Sequence, residues 1–414
     1  MISLRWAKPK DVESIARINA RCFPTSDSTD RAERIRNDAR CNISDILVAE
    51  ENGRIVGSTT LIPQKVWTGG TEHAQGGVAA VQVDPDFRRR GLGHVLMKRI
   101  DQAHRERGFP LSMLHPYSPV FYRRLGYAPI ERWIELRLRA AALPECEAAM
   151  SVRTATGDDL EAVIECHRRS LPSHNGGMTR SPQVWMQRIF GGRRMVAIFE
   201  RDRQVDGYFI YELHPTHDVL QQLMYVREWV APDDEVARAL LGYLAAQKAQ
   251  CPEVRLFAPV DCPLMLFLSE PRSLAYENPQ DGHYSSGTMG TSAMARVVDL
   301  ARLFAAGRRL AGPPLACRFR LIETRGAPVG DAGDASVEEV GVEFDGSTAQ
   351  LTRQSPSAWL ECDPGTMAQV YFGAVGPREA VRWGAARADS VETLEKLEVL
   401  FAQSAPFVHP LDFF

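Results

Sequence analysis

The sequence predicts an α/β (α+β) protein in which mixed sheets are flanked by helices, with three domains in 414 residues. Three observations lead to this fold class. A strand, a glycine-containing turn and a long amphipathic helix follow one another from residue 78 onward. The opening order of strand, acidic residue and helix is repeated, in kind, from residue 151. From about residue 288 the pattern changes to a leading helix, a sheet and further helices.

The first predicted domain covers residues 1–140. Asn52-Gly53 separates two apolar runs and predicts a tight hairpin, because this pair tolerates positive φ. A helix begins at Leu92 and stops at Gly108-Phe109-Pro110. The other predicted helices span residues 11–22 and 29–40, and the predicted strands span residues 2–7, 46–50, 54–62, 78–83, 111–114 and 133–138, the last of which closes the sheet.

The turn before the long helix is basic and contains two glycines, in the order Arg88-Arg89-Arg90-Gly91-Leu92-Gly93. A helix N-terminus leaves backbone N–H groups without partners and carries a partial positive charge, so it attracts anions. Glycine lets the backbone approach a pyrophosphate closely. The spacing fits neither a Walker A loop nor a Rossmann fingerprint. The turn therefore predicts a site for a phosphate-bearing ligand.

The second predicted domain, residues 151–287, repeats the first architecture without the basic turn. The acidic run Ala231-Pro232-Asp233-Asp234-Glu235 stands where the first domain carries arginine and glycine. Carboxylates repel pyrophosphate, so we expect no phosphate-bearing ligand there. A linker is predicted at residues 140–150, and the predicted elements are a hairpin at 195–201 and 205–213, a strand at 220–230 and a helix at 233–251.

The third predicted domain, residues 288–414, resembles a sterol-carrier-protein-like domain. Its predicted helices span residues 294–303, 364–372 and 390–401, and its predicted strands span residues 317–322, 342–344, 349–352 and 358–362. The Gly-, Ala- and Asp-rich loop at 326–336 is predicted to be a mobile connection.

Composition limits the function classes. A net charge of −3 argues against a general nucleic-acid binder. The hydrophobic runs are too short to span a bilayer and the first residues form no signal peptide, so we expect a cytoplasmic protein that binds no membrane. Eight scattered cysteines without a Cys-x-x-Cys pair predict free thiols and no metal site. Cys166 and His167 are adjacent on a predicted helix, where their side chains diverge, and are interpreted as structural.

Residues 78–127 closely resemble the GCN5-related N-acetyltransferases, the GNAT superfamily, through the spacing Arg-x-x-Gly-x-Gly directly after a strand. The three-part layout and the chain end together resemble the enhanced intracellular survival (Eis) family of these enzymes. The resemblance implies tandem GNAT domains, the first catalytic and the second without cofactor, followed by a sterol-carrier-protein-like domain. It also implies acetyl-CoA as co-substrate, an amine acceptor and a homo-oligomer, typically a hexamer.

The resemblance also assigns site residues. Tyr122 matches the tyrosine that protonates the departing thiolate, and a phenol with a pKa of about 10 is reasonably matched to a thiol of about 8.5. Tyr127 shares this chemistry, so one of the two tyrosines is structural, and Tyr122 as a core aromatic remains an alternative. The residues implied to bind the cofactor are Val81, Gln82, Val83, Arg88, Arg89, Arg90, Gly91, Leu92, Gly93, His94, Tyr117 and Ser118.

The chain ends in the apolar, aromatic run 407–414, Phe-Val-His-Pro-Leu-Asp-Phe-Phe, and we predict that this tail is buried. In the Eis family the terminal carboxylate is thought to accept the amine proton. The resemblance therefore implies that the Phe414 carboxylate is the general base, and neighbouring phenylalanines favour this by partly desolvating it. His409 and Asp412 are the side-chain alternatives.

These features predict direct acetyl transfer to a primary amine of a small molecule, such as an aminoglycoside, or to a lysine side chain. Asp27, Asp30 and Asp412 are candidates for attracting a polycation. Phe413 and Ala80 depart from the family pattern and indicate a more apolar pocket. Two alternatives stay open: an acyl-CoA- or lipid-binding carrier protein with an inactive GNAT half, and an N-acyltransferase for longer acyl chains.

Overall fold

The chain forms two compact units in the computed structural model, which describes residues 2–23, 28–272, 285–308, 311–324 and 335–413. The first unit comprises Met1–Ile130 and Ala293–Gln403, and the second comprises Glu131–Ser292 and Ser404–Phe413. Each unit therefore joins segments that are distant in the sequence.

The elements are as follows, in chain order within three stretches. The first stretch contains β1 (Ile2–Trp6), α1 (Val12–Cys22), α2 (Ser28–Arg36), β2 (Ile46–Glu51), β3 (Arg54–Thr68), β4 (Thr71–Val83), α3 (Leu92–Arg107), β5 (Leu111–Leu114), α4 (Pro119–Arg123), β6 (Ala128–Pro129) and β7 (Trp133–Arg139). The second contains β8 (Val152–Thr154), α5 (Leu160–Ser170), α6 (Pro182–Trp185), β9 (Met195–Arg201), β10 (Gln204–Pro215), β11 (Gln222–Val230), α7 (Asp234–Ala246), β12 (Glu253–Pro259) and β13 (Gly287–Gly290). The third contains β14 (Met294–Val297), α8 (Leu300–Ala305), β15 (Leu315–Thr324), β16 (Ala335–Phe344), β17 (Ala349–Thr352), β18 (Ala358–Cys362), α9 (Pro364–Tyr371), α10 (Pro377–Arg382), β19 (Ala386–Ala388) and α11 (Val391–Leu400).

The first sheet has the strand order β1-β2-β3-β4-β5-β14-β6. Its strands β1 to β4 are antiparallel neighbours, and β4 pairs with β5 in parallel. Asn52 and Gly53 have φ of 51° and 77°, which confirms the predicted hairpin turn. Helix α3 buries Leu92, Leu96 and Ile100 against this sheet.

Two strands of this region differ from the prediction. The prediction that residues 133–138 close the first sheet is wrong, because β7 pairs with β12 and β13 of the second sheet. Residues 294–303 were expected to form one helix, but β14 lies between β5 and β6, and α8 begins only at Leu300. All four residues of β14 are buried, and a short apolar run of this kind has the same pattern in a buried strand and in a buried helix.

The second sheet has the strand order β13-β7-β12-β11-β10-β9-β8. The predicted repeat of the chain opening is confirmed by matched ion pairs. Arg5 bonds Asp11 at 2.6 Å before α1, and Arg153 bonds Asp159 at 2.7 Å before α5. Each aspartate also accepts a backbone N–H three residues upstream, which completes a capping box. The helix predicted at 233–251 is shorter and ends at Ala246.

The third sheet, of order β17-β16-β15-β18-β19, belongs to the first unit. Its core is a cluster of aromatic rings with centroids 4.7 to 6.5 Å apart, formed by Phe304, Phe319, Phe344, Tyr371 and Phe401. Most of the loop predicted at 326–336 lies outside the described residues.

The cysteines are free, and Cys166 and His167 have structural roles, as predicted. Burial raises the pKa of the Cys166 thiol to about 12. The His167 ring bonds the Tyr208 hydroxyl at 2.9 Å and the Met178 carbonyl at 3.0 Å. Across the described ranges, no three His, Cys, Asp or Glu side chains are grouped so as to hold a metal ion. No helix in the described part of the chain has the length and apolar character needed to cross a bilayer.

Candidate active site

The site in the first unit begins where β4 separates from β5. The parallel register joins residues 75–78 of β4 to Leu111–Leu114 and ends at Val78, although β4 continues to Val83. Beyond Val78, Ala80 has φ of +48° and the register with β3 shifts by one residue, which is a β-bulge. A bulge bends its strand, and β5 ends at Leu114, so we infer that β4 diverges from the chain that follows β5 and leaves a wedge at the carboxyl ends of the two strands, where α/β folds place ligands.

The three strand residues assigned from sequence differ in what they offer a ligand. The Gln82 side chain donates to Ser58 Oγ at 2.7 Å and accepts from Asn19 Nδ2 at 2.8 Å, so it is engaged within the domain. The Val83 carbonyl oxygen accepts from Arg88 Nε at 3.4 Å. Val81 is half-buried and packs on the core. A ligand in the wedge would therefore meet the β4 backbone around Val81 rather than the Gln82 amide.

The turn that follows is held in a left-handed conformation. Arg89 has φ of +63° and Gly91 has φ of +73°, and Gly91 is the N-cap residue of α3. A Cβ on Gly91 would have no atom within 4 Å, so glycine is favoured there by conformation. A Cβ on Gly93 would lie 3.3 Å from Phe121 Cζ, so glycine is favoured there by size. Glycine is therefore favoured over other residues at both positions of the motif, for a different physical reason at each.

The N-terminus of α3 is open and basic. The N–H groups of His94 and Val95 both bond the Gly91 carbonyl, whereas those of Leu92 and Gly93 have no acceptor among the described residues. The first turn carries no acidic residue, and residues 88–91 are exposed. Such an arrangement suits an anion.

The three arginines of the turn are not equivalent. Arg90 lies 3.6 Å from Glu51 and stacks over the Phe87 ring at 4.9 Å. Arg88 reaches back toward Val83 and Cys22. Arg89 forms no ion pair with any described residue, which leaves its guanidinium group for a ligand.

The geometry separates the two candidate tyrosines. Tyr122, on α4, is 7% exposed, and its hydroxyl forms no hydrogen bond with a described residue. Tyr127 is 3% exposed, and its hydroxyl lies 2.6 Å from Ser112 Oγ. Burial raises the pKa of Tyr122 to about 12, so the phenol stays protonated at neutral pH. The Tyr127 hydroxyl is thus engaged within the domain, while that of Tyr122 has no hydrogen-bond partner among the described residues.

The remaining assigned residues lie around these groups. His94 is exposed and its ring packs edge-on against Phe121, with centroids 5.1 Å apart. Tyr117 is 91% exposed and Ser118 is the N-cap residue of α4, both in the loop after β5. Phe414 lies outside the described residues.

The C-terminal tail is held within the second unit. The Phe407 N–H donates to the Asn175 carbonyl at 2.8 Å, and the Val408 N–H donates to Glu131 at 2.6 Å. Phe407, Val408 and Leu411 are buried, which confirms the predicted burial of this apolar run in its described part.

A buried ionic cluster anchors the end of that tail, and the sequence did not reveal it. Arg180 donates to Asp412 at 2.6 and 2.7 Å and to Glu228 at 2.9 Å, and Tyr208 donates to Glu228 at 2.6 Å. Asp412 is therefore a buried ion-pair member and not an exposed acid that attracts polycations. Burial lowers the pKa of His409 well below its usual value, which makes this imidazole a weak base.

The two other acids expected near a substrate are Asp27 and Asp30. Asp30 is paired with Arg34 at 2.7 Å on α2, and Asp27 lies outside the described residues. The acids named from the sequence therefore do not locate a binding site for the amine substrate.

Comparison with known families agrees with this architecture. Residues 3–130 match an acetyltransferase (GNAT) domain, residues 176–297 match a second acetyltransferase (GNAT) domain, and residues 334–409 match a sterol carrier protein domain. The chain is a tandem-GNAT protein with a sterol carrier protein domain. The predicted fold class is confirmed, and acetyl-CoA is the co-substrate of GNAT acetyltransferase domains.

Individual proteins that are similar to this tandem-GNAT protein include N-acetyltransferases. It is 34% identical over 98 residues to glucosamine 6-phosphate N-acetyltransferase of Trypanosoma brucei brucei, a match that covers 23% of the chain and 66% of that relative's length. The crystal structure of a GCN5-related N-acetyltransferase from Anabaena variabilis aligns over 100% of both chains with a TM-score of 0.82 and 19% identity. Eis1 from Mycobacterium abscessus also aligns over 100% of both chains, with a TM-score of 0.76 and 19% identity. These two alignments show the fold.

Proposed function

We propose that this tandem-GNAT protein is an acetyl-CoA-dependent N-acetyltransferase that acetylates a primary amine of a small molecule, aminoglycoside-like, or of a lysine side chain. The observation that carries the proposal is the wedge between β4 and β5, which opens beside an exposed, basic helix N-terminus. The likeness to a glucosamine 6-phosphate N-acetyltransferase supports a nitrogen acceptor.

The same geometry supports the assignment of the co-substrate site. The Leu92 and Gly93 N–H groups and the Arg89 guanidinium group would bind the pyrophosphate. The β4 backbone around Val81 would pair with the pantetheine amides and hold the thioester oxygen as negative charge develops on it. We assign to this site the set named from sequence: Val81, Gln82, Val83, Arg88, Arg89, Arg90, Gly91, Leu92, Gly93, His94, Tyr117 and Ser118.

Tyr122 is the proposed general acid. Its neutral phenol would donate to the sulfur of coenzyme A as the thioester bond breaks. The absence of a hydrogen bond to a described residue supports this role, because it leaves the proton free for the sulfur. The amine attacks the thioester directly, so no acyl-enzyme is required.

The Phe414 carboxylate is the proposed base that accepts the amine proton. The ion pair of Asp412 with Arg180 supports this choice, because it orders the chain two residues before the terminus and commits the alternative carboxylate. His409, with its lowered pKa, is the poorer alternative. We also propose that the protein is cytoplasmic and assembles as a homo-hexamer. The proposed domains are residues 1–140, 151–287 and 288–414.

The test is acetyl-CoA turnover by the full chain, followed with a thiol-detecting reagent over a panel of amines that includes aminoglycosides and lysine peptides. Tyr122→Phe is expected to lower kcat by roughly 10²–10⁴-fold with little change in acetyl-CoA affinity. The matched control Tyr127→Phe loses the Ser112 bond, costs about 1 kcal/mol of stability and keeps kcat. One residue added after Phe414 should lower kcat as well.

Two outcomes would contradict the proposal. Full turnover by Tyr122→Phe would remove its acid, and full turnover by the extended chain would remove its base. Acyl-CoA substrates of increasing chain length, tested in the same assay, separate acetyl transfer from transfer of longer chains. Coenzyme binding without turnover on any amine would favour the carrier alternative.

A further inference from the structure

The second GNAT domain repeats the wedge of the first. Strands β11 and β12 pair in parallel from Leu223 with Glu253 to Val226 with Leu256, and the pairing ends there although both strands continue. At the same level the register between β10 and β11 shifts, which leaves Arg227 as an extra residue. The arrangement of diverging strands proposed to bind acetyl-CoA in the first domain therefore has a counterpart in the second.

A cavity of about 960 Å³ occupies this wedge. That volume is within the range of small-molecule sites, which lies at roughly 300–1,000 Å³. Its walls are mainly apolar and come from β11, β12, α7 and the C-terminal tail; they include Trp229, Leu241, Leu256, Phe257, Phe267 and Phe407. Phe267, at 79% exposure, is an apolar side chain at the surface of this cavity.

The charge at the cavity opposes that of the first domain. The α7 N-terminus is already capped, because Asp233 accepts the Val236 N–H at 2.9 Å. Asp234, next to it, forms no ion pair with a described residue. Four carboxylates and two guanidinium groups line the cavity: Asp206, Asp233, Asp234, Asp261, Arg169 and Arg201. Both arginines are already paired, since Arg169 lies 3.5 Å from Asp206 and Arg201 bonds Asp206 and Asp233. An anion is therefore disfavoured and a cation favoured.

One buried polar side chain at the cavity wall has no hydrogen-bond partner among the described residues. His409 is 4% exposed and lines the cavity, and neither of its ring nitrogens has a hydrogen-bond partner among the described residues. Buried polar groups in folded proteins are nearly always hydrogen-bonded. Both nitrogens are themselves buried, so this imidazole adds no hydrogen-bonding group to the cavity surface.

We propose that the wedge of the second GNAT domain binds an apolar amine, with its hydrophobic body between β11 and β12 and its protonated amino group at the aspartates beside α7. The site is separate from the acetyl-CoA site and excludes phosphate-bearing ligands. It rests on the cavity and its charges, not on the proposed acetyl transfer.

A matched pair of fluorescent probes tests the ligand class. Dansylcadaverine and dansyl-6-aminohexanoate share the apolar dansyl group, a sulfonamide and the same linker, but end in an ammonium group and a carboxylate. In titrations of the full chain, we expect one dansylcadaverine per chain, with a blue-shifted emission sensitised by tryptophan. Trp229→Phe should weaken the sensitisation, because Trp229 lines the cavity. Dansyl-6-aminohexanoate should bind roughly tenfold more weakly or not at all.

Variants locate the site. Ala237→Trp fills the cavity from α7 and should weaken dansylcadaverine binding by at least roughly tenfold. Phe267→Ser removes an exposed wall side chain, which avoids a folding defect, and should weaken binding in the same direction. Asp234→Lys should reduce the preference for the ammonium probe to within roughly threefold. Asp158→Lys makes the same charge change at an exposed position outside the cavity and should leave the preference intact.

Thermal unfolding and acetyl-CoA binding serve as controls for the integrity of each variant. Equal affinity for the two probes, no binding of dansylcadaverine, or unchanged binding in both Ala237→Trp and Phe267→Ser would overturn the inference. Acetyl transfer is not required for any of these measurements. Binding at the wedge without turnover would contradict only the proposed function, and turnover without binding at the wedge would contradict only this inference.

Discussion

Replacement of Arg180 by methionine would test how the C-terminal tail is held. The Arg180, Glu228 and Asp412 side chains are all buried, and the guanidinium group is the cation that pairs with both carboxylates. Methionine is unbranched and apolar, so it fills the space without the charge. The variant would leave two carboxylates in the interior with no cation beside them.

The structure sets the size of the effect. Removal of one partner of a buried ion pair costs about 3–5 kcal/mol, and Arg180→Met removes the partner of two carboxylates. Asp412→Asn keeps the pair of Arg180 with Glu228 and retains an oxygen that accepts a hydrogen bond, so it should cost about 1–3 kcal/mol. Arg180→Met should therefore be the more destabilising by about 2 kcal/mol.

The pH dependence gives a second signature. Burial raises the pKa of Glu228, but the charge and hydrogen bonds of Arg180 and the effects of His409 and His167 together outweigh it, so the folded pKa lies below the ordinary value of 4.5. In the parent, this contribution is complete above the unfolded pKa and is lost as the pH falls through the folded one. Arg180→Met removes the strongest of the opposing effects and leaves burial against the weaker effects of His409 and His167, so the pKa of Glu228 should rise. The penalty of the substitution should therefore grow as the pH rises from about 5 to about 8.

Urea unfolding near both ends of this pH range would measure the penalty, and hydrogen exchange of peptides from residues 175–190 and 404–413 would locate it. Arg168→Met is the matched control, because it breaks an exposed pair with Glu165 on α5 and should leave the midpoint near that of the parent. The reasoning fails if Arg180→Met is no more destabilising than this control near neutral pH. It also fails if the penalty increases on acidification.

Three further outcomes follow from the first unit. Gly91→Ala should cost about 1 kcal/mol in thermal unfolding and weaken acetyl-CoA binding in calorimetry, while Gly91→Asn, which tolerates left-handed φ, should do less harm. Arg89→Ala should raise the KM for acetyl-CoA by roughly tenfold at low salt and flatten its salt dependence, whereas Arg90→Ala, which loses an arginine already paired, should raise it less. Arg308→Met should stabilise the protein by about 1–2 kcal/mol. The buried Arg308 guanidinium group bonds the Tyr371 carbonyl but pairs with no carboxylate among the described residues. A lower unfolding midpoint than that of the parent would contradict this.

Local features were predictable from the sequence because short-range geometry decides them. The Asn52-Gly53 turn and the acidic cap that opens both GNAT domains each depend on backbone preferences of a few neighbouring residues. The chemistry of the acetyl-CoA turn depends on the same short segment. These features were therefore readable without tertiary information.

The buried cluster at the tail was not predictable for the opposite reason. Arg180 lies 48 residues from Glu228 and 232 residues from Asp412 in the sequence. None of the three belongs to a motif, and an isolated charged residue is ordinarily found at the surface. Only the fold brings them together, so Asp412 was mistaken for a candidate pocket acid.

The exchange of strands between the two GNAT domains has a structural consequence for the acetyl-CoA site. Strand β14 pairs with β5 through residues 294–297 and 111–114, and it is also the neighbour of β6. Because β5 forms one wall of the wedge, that wall is supported by residues that follow the whole second domain in the chain. Residues 1–140 alone contain the complete acetyl-CoA motif, but they would expose the apolar edge of β5, and an exposed edge of this kind favours aggregation. The cost of closing so long a connection grows only logarithmically with its length, so the exchange is tolerated in stability and is expected to slow folding instead. The acetyl-CoA motif is therefore local in sequence, whereas the sheet that shapes its binding wedge is completed only by β14.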